Sequence, residues 1–104
     1  MLTRQIESNS GVATSNEMMA ANPHLPTVVK TIDMPKGYID HLHQHTWHQI
    51  IFPLKGLLQT KTEQYQPLVP HTSVFIVPAG VQHESIAFSH TTFIGIYHNP
   101  RLGW

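Results

Sequence analysis

Between Thr27 and His98 the chain is a succession of short runs rich in β-branched and aromatic residues, each cut off before it reaches the length of a helix. The runs are Thr27 to Asp33, Tyr38 to His43, Trp47 to Leu54, Leu57 to Thr62, Tyr65 to Val69, Val74 to Val77, His83 to Phe88 and Thr92 to His98. Turn formers separate them, among them Met34-Pro35-Lys36-Gly37, Lys55-Gly56 and Pro78-Ala79-Gly80. No segment carries a sustained helical period. The fold class expected is therefore all-β, with about eight strands. Pro53 interrupts an otherwise strong strand and predicts an edge or a bulge at that point.

Residues 1–26 read differently. They are polar, and we expect a loosely ordered N-terminal arm there, with the β domain spanning 27–104. Ser15 or Asn16 is placed to cap a short helical turn through residues 17–21, which Pro23 would stop. Met18 and Met19 on that turn are candidates to pack on a neighbour or over a pocket mouth.

Length and charge bound the function. A chain of 104 residues makes one small domain. Six basic residues balance six acidic ones, so nothing electrostatic draws it to nucleic acid or to an anionic membrane, and direct nucleic-acid binding is not expected. Only 12% of residues are charged while 40% are hydrophobic, which points to a surface partly covered by a second subunit, as in a homodimer. There is no secretory signal and no apolar run long enough to cross a bilayer, so the expected location is the cytoplasm. The chain has no cysteine, so any metal must take nitrogen and oxygen ligands.

The chemistry concentrates in the histidines. His43 and His45 are two residues apart, and on a strand such residues share a face, roughly 7 Å apart. Gln49 has the same parity. His83 opens a later strand after the Pro78-Ala79-Gly80 turn and is placed to meet them. Three converging imidazoles make a transition-metal site, and the candidate ligands are His43, His45 and His83, with Gln49 as a weaker fourth. Zn, Ni, Cu and Fe all suit imidazole. Such a donor set leaves the charge of a divalent ion uncompensated and favours an anionic small molecule such as a carboxylate. Extending the parity predicts Ile39, His41, Trp47 and Ile51 as inward-facing, with His41, Trp47 and Ile51 as candidate ligand-binding residues. Asp40, Gln44, His48 and Ile50 are then outward. With Asp40 and Glu84 turned away, His41 and Tyr97 are the remaining candidate proton carriers.

These residues resemble the cupin superfamily. Gly37, His43, His45 and Gly56 fall on the positions of its first motif, with Gln49 where the motif has Glu. Pro78, Gly80 and His83 fall on the second, with Thr72 and Ala87 replacing its leading Gly and closing Asn. The resemblance implies a double-stranded β-helix, a jelly-roll barrel that encloses its site. More narrowly, Trp47-His48-Gln49, Gly56-Leu57-Leu58, Val69-Pro70 and the stretch from Phe75 to Glu84 resemble the N-terminal sensor domains of AraC-type transcription regulators. That likeness implies a small-molecule effector and dimerisation. It also implies a stand-alone sensor-like module, because the chain ends where the helix-turn-helix half would begin. The alternative is a metalloenzyme, a dioxygenase, isomerase or hydrolase, on the same three-histidine centre.

Overall fold

Eight strands, all antiparallel to their neighbours, account for about half of the described residues. A computed structural model describes residues 18–102. The strands are β1 Thr27–Met34, β2 Ile39–His43, β3 His48–Lys55, β4 Leu57–Lys61, β5 Leu68–Pro70, β6 Phe75–Val77, β7 His83–Ala87 and β8 Thr91–His98. They form two four-stranded sheets, ordered β1-β8-β3-β6 and β2-β7-β4-β5. The chain crosses repeatedly between the sheets, which is the jelly-roll pattern. Among the described residues no helix is long and apolar enough to cross a membrane.

Period-two burial builds the interior. On β1, Val28, Lys30, Ile32 and Met34 are buried while Val29, Thr31 and Asp33 are more exposed. On β8, Thr91, Phe93, Gly95 and Tyr97 are buried in the same alternation. One apolar cluster joins Ile32, Met34, Ile51, Leu58, Val77, Ala87 and Phe93. A second joins Met18, Met19, Val28, Trp47 and Tyr97. Residues 18–21 are helical, and they bring the two methionines onto Trp47 and Tyr97. The remainder of the expected arm, residues 1–17, lies outside the described residues.

One strand expectation shifts. The run from Tyr65 to Val69 pairs only as Leu68–Pro70. The Thr62 N–H donates to the Tyr65 carbonyl at 2.7 Å, and the Tyr65 N–H donates to Thr62 Oγ1 at 3.0 Å. These local bonds hold residues 62–65 in a turn where a strand was expected. Pro53 marks a bulge, as expected: the β3–β8 register shifts between Pro53 and Lys55.

The outer face of the β1-β8-β3-β6 sheet carries an apolar row. Val29 pairs with Ile96, Ile96 with Ile50, and Ile50 with Ile76, in one row across four strands. Phe52 and Ile76 on this face are 44% and 59% exposed.

Gly56 closes the turn between β3 and β4 with φ of 93°, in the left-handed region. A Cβ there would lie 2.4 Å from the His90 carbonyl oxygen and 2.7 Å from Thr91 Cα. Both obstacles are backbone, so neither yields. Gly56→Ala should therefore destabilise the domain by about 2 kcal/mol or more, read from the shift of a urea unfolding midpoint.

Candidate metal centre

The site is built where β2 meets β7. Ile39 opposes Ile86, Asp40 opposes Ser85, and His43 opposes His83, with a register shift between Asp40 and His43. Opposed residues share a face. Ser85 and His83 are buried, so Asp40 and His43 stand on the inward rows of β2. The bulge overturns the parity expected for this strand. Ile39, expected inward, is 40% exposed, and His41 is exposed as well. Asp40, expected outward, is half-buried opposite Ser85. An extra residue between two paired positions flips every side chain on one side of it.

His45 lies beyond the end of β2, in the connection to β3, and is buried. The second motif holds it there. The Gly80 N–H donates to the His45 carbonyl at 2.8 Å, and the Ala79 N–H donates to His48 Nδ1 at 2.9 Å. Gly80 sits at φ of 83°, which lets the turn present these successive N–H groups to the β2–β3 connection. His83 begins β7 three residues later.

The three rings converge. Their centroids are 4.2 Å apart for His43 and His83, 4.9 Å for His43 and His45, and 5.1 Å for His45 and His83. One nitrogen from each lies within 4.8 Å of the others. His43 donates through Nδ1 to the His41 carbonyl, and His83 donates through Nδ1 to the Val81 carbonyl at 3.0 Å. These bonds select the tautomer that leaves Nε2 with its lone pair free for a metal, as metal-binding imidazoles require. Two of the rings, His45 and His83, are also kept uncharged. Burial pushes His45 down to about 3, helped by the neighbouring His83, His43 and Lys30 charges and opposed by the Gln49 amide. Burial pushes His83 down to about 4, opposed by its bond to Val81 and helped by His43. Neutral imidazole at neutral pH is the state that binds a metal.

Polar residues surround the cluster. Gln49 is buried, its Nε2 donates to the Tyr97 hydroxyl at 3.3 Å, and its Oε1 has no hydrogen-bond partner. An orphaned buried acceptor beside His45 suits a centre that receives a cation or a donor. The Tyr97 ring packs edge-on against His45 with centroids 5.6 Å apart. Thr60 and Ser85, both buried, share a hydroxyl hydrogen bond of 3.2 Å. Lys30 is fully buried on the inward face of β1. Sequence reasoning passed over Lys30, although the parity of Val28, Ile32 and Met34 marks it as an inward lysine.

Of the residues expected to bind a small molecule, the structure brings Trp47 nearest a cavity. Trp47 lines a cleft of about 580 Å³ with Gln44, Thr46 and Asn99. Ile51 is packed inside the apolar cluster, and His41 contributes only its carbonyl to the centre. A second groove of about 710 Å³ runs past Gln44, Tyr65, Phe75, Gly80, Val81 and Gln82. Gln44, between His43 and His45, lines both, so the two cavities flank the loop that carries the centre.

No protein-family model matches the chain, and no curated protein matches it. Solved structures do. KdgF from Halomonas sp. is 18% identical with a TM-score of 0.67, covering 73% of this chain and 72% of that one. An RmlC-like cupin from Shewanella frigidimarina is 18% identical with a TM-score of 0.67, covering 73% and 68%. Oxalate decarboxylase from Bacillus subtilis, a protein with Mn(II) centres, is 18% identical with a TM-score of 0.66, covering 70% of this chain and 21% of that one. The chain has the cupin fold, with eight strands in two antiparallel sheets and a three-histidine cluster within it.

The depressed histidines set a pH dependence. Unfolded, both would titrate near 6.5, whereas folded they hold no proton until about pH 3 to 4. Below pH 6.5 the unfolded chain therefore binds more protons, and their contribution to stability falls as pH drops from 6.5 toward 4. Metal-free protein should take up about two protons from these residues on unfolding at pH 5 and almost none at pH 8. The pH slope of the unfolding free energy, compared between the parent chain and His45→Gln or His83→Gln, should drop by about one proton for each.

Proposed function

We propose that this protein is a metal-binding module of cupin fold that receives a small molecule, a role like that of the effector-binding half of AraC-type regulators. The observation that carries the reading is the convergence of His43, His45 and His83 with two of the three tautomers tied by backbone carbonyls. Such a pre-set tautomer is what a ligand shell needs and what a packing role does not. His43, His45 and His83 would hold a divalent transition ion, with Gln49 Oε1 as a fourth donor or a partner to a bound water. Zn, Ni, Cu or Fe suits these nitrogens, and the Mn(II) of a fold neighbour supports a divalent ion. The flanking grooves suit a small molecule in volume.

One observation favours a second reading. The bulge puts Asp40 on the inward row of β2, three residues before His43, where a carboxylate can serve as a proton carrier. An ion in the centre would supply Lewis acidity to a catalytic version of the site. Asp40 would accept or return a proton beside it, making the protein a metalloenzyme. Saturable binding without turnover separates the first reading from the second.

Elemental analysis of tag-free protein is the direct test. We expect about one divalent ion per chain in the parent protein and loss of that ion in both His45→Ala and His83→Ala, with the β-sheet circular dichroism retained. Unchanged metal content in either variant would remove that residue from the shell.

Self-association is part of the same reading. The row Val29, Ile96, Ile50, Ile76 has no charge in it and is partly exposed. Two copies packed face to face through it would form a symmetric homodimer. Sedimentation equilibrium should find a dimer for the parent chain and a monomer for Ile76→Lys.

A further inference from the structure

The cleft beside Trp47 is built by residues that the metal centre does not use, and none of the three converging histidines lines it. Residues 19–23 and 99–101 supply two of its walls, and residues 44–47 supply a third. A buried amide ties the first two together. Asn99 Nδ2 donates to the Pro23 carbonyl at 3.1 Å, and Asn99 Oδ1 accepts from the Arg101 N–H at 3.0 Å. The Asn99 N–H donates to the Pro26 carbonyl at 2.9 Å, so the residue is held from both sides. The 19–23 wall is braced in turn. The Asn22 N–H donates to the Met19 carbonyl at 3.2 Å, and Asn22 Nδ2 donates to the Met18 carbonyl at 2.8 Å. Met18 and Met19 pack in one apolar cluster with Trp47. These bonds set the walls before any ligand arrives, which lowers the ordering cost of binding.

The lining of this cleft has one sign of charge. Among the described residues Arg101 is the charged side chain on it, and no acidic side chain stands there. Gln44 and Thr46 add an amide and a hydroxyl, while Met19, Pro23 and Trp47 add apolar surface. The groove on the other side of the loop has the opposite character: Glu63 lines it, and among the described residues no cation does. A guanidinium offers N–H groups in a planar fork that matches a carboxylate. The volume of about 580 Å³ falls in the range of small-molecule sites. We propose that this cleft binds a small monocarboxylate with an apolar body, its carboxylate on Arg101 and its hydrocarbon part against Trp47 and Met19. The inference rests on the small-molecule part of the reading above, to which it gives a place and a ligand class, and it holds whether or not an ion is bound.

Equilibrium dialysis of 3-phenylpropanoate against the full chain, with and without EDTA, tests this. The parent should bind about one equivalent, with the same affinity in both conditions. The neutral 3-phenylpropanamide should bind the parent at least about tenfold more weakly, and so should the acid bind Arg101→Gln. Ala20→Phe leaves Arg101 in place and fills the cleft, so it should weaken the acid by at least about tenfold too. Ala20 and Arg101 are both exposed, so both variants should keep the unfolding midpoint of the parent. No binding by the parent, equal binding of acid and amide, or parent-like affinity in either variant would overturn the proposal. Binding that EDTA removes would overturn it as well and place the ligand at the metal centre. Metal analysis of the same samples separates this inference from the metal-binding reading. A parent that keeps its ion and binds no acid sinks the cleft alone, and an ion-free parent that binds the acid through Arg101 supports the cleft and sinks the metal.

Discussion

Everything at the centre depends on a clasp between two stretches of chain 31 to 35 residues apart in sequence. Gly80 and Ala79 donate successive backbone N–H groups to the His45 carbonyl and to His48 Nδ1. The same turn leads into β7, where His83 opposes His43. Buried backbone groups must find partners, and here satisfying them fixes where the imidazoles stand. Gly80 is required because the turn passes through the left-handed region. Remove that clasp and His45, which belongs to no strand, loses the backbone bond that anchors it to the second motif.

The interior divides into two chemistries. At one end Ile32, Met34, Ile51, Leu58, Val77 and Phe93 make an ordinary apolar core. At the other, Lys30, His45, Gln49, Thr60, His83 and Ser85 are buried together, supported by Tyr97. Polar burial on this scale weakens a small domain unless each group is partnered. Most of the partners are visible: Thr60 with Ser85, His83 with Val81, Gln49 with Tyr97. The exposed edge shows ordinary surface pairing by contrast. Asp33 accepts from His90 at 2.8 Å and from Thr92 at 2.7 Å, and these bonds hold its carboxyl below the usual range. Among the described residues the orphaned Gln49 Oε1 is a point at which the interior is unfinished, and it lies beside the histidines.

Much of this was legible beforehand, for identifiable reasons. Strands were readable because β-branched runs and Gly or Pro turns act locally, and the observed bounds fall within a residue or two of those expected for most strands. Tyr65 was the exception, since the Thr62 hydroxyl competes with the ladder for its N–H. His43, His45 and His83 were readable as a set because both motifs carry their own spacing. Ile39 and His41 were misplaced because a bulge is a property of two paired strands, and one strand alone does not declare it. Lys30 was readable from parity and was passed over, since a lysine among apolar residues is usually assigned to the surface.

The order of residues alone determined an all-β chain, the absence of thiolate chemistry, and three imidazoles spaced to meet. Those follow from side-chain identity and from the period of an extended backbone. Only the folded arrangement decided which of the β2 side chains enter the barrel, which nitrogen each tied ring keeps free, and that a lysine and an aspartate stand on inward rows of opposite sheets. Register, tautomer and burial are set by partners distant in sequence, and no local pattern encodes a partner that the fold has yet to supply.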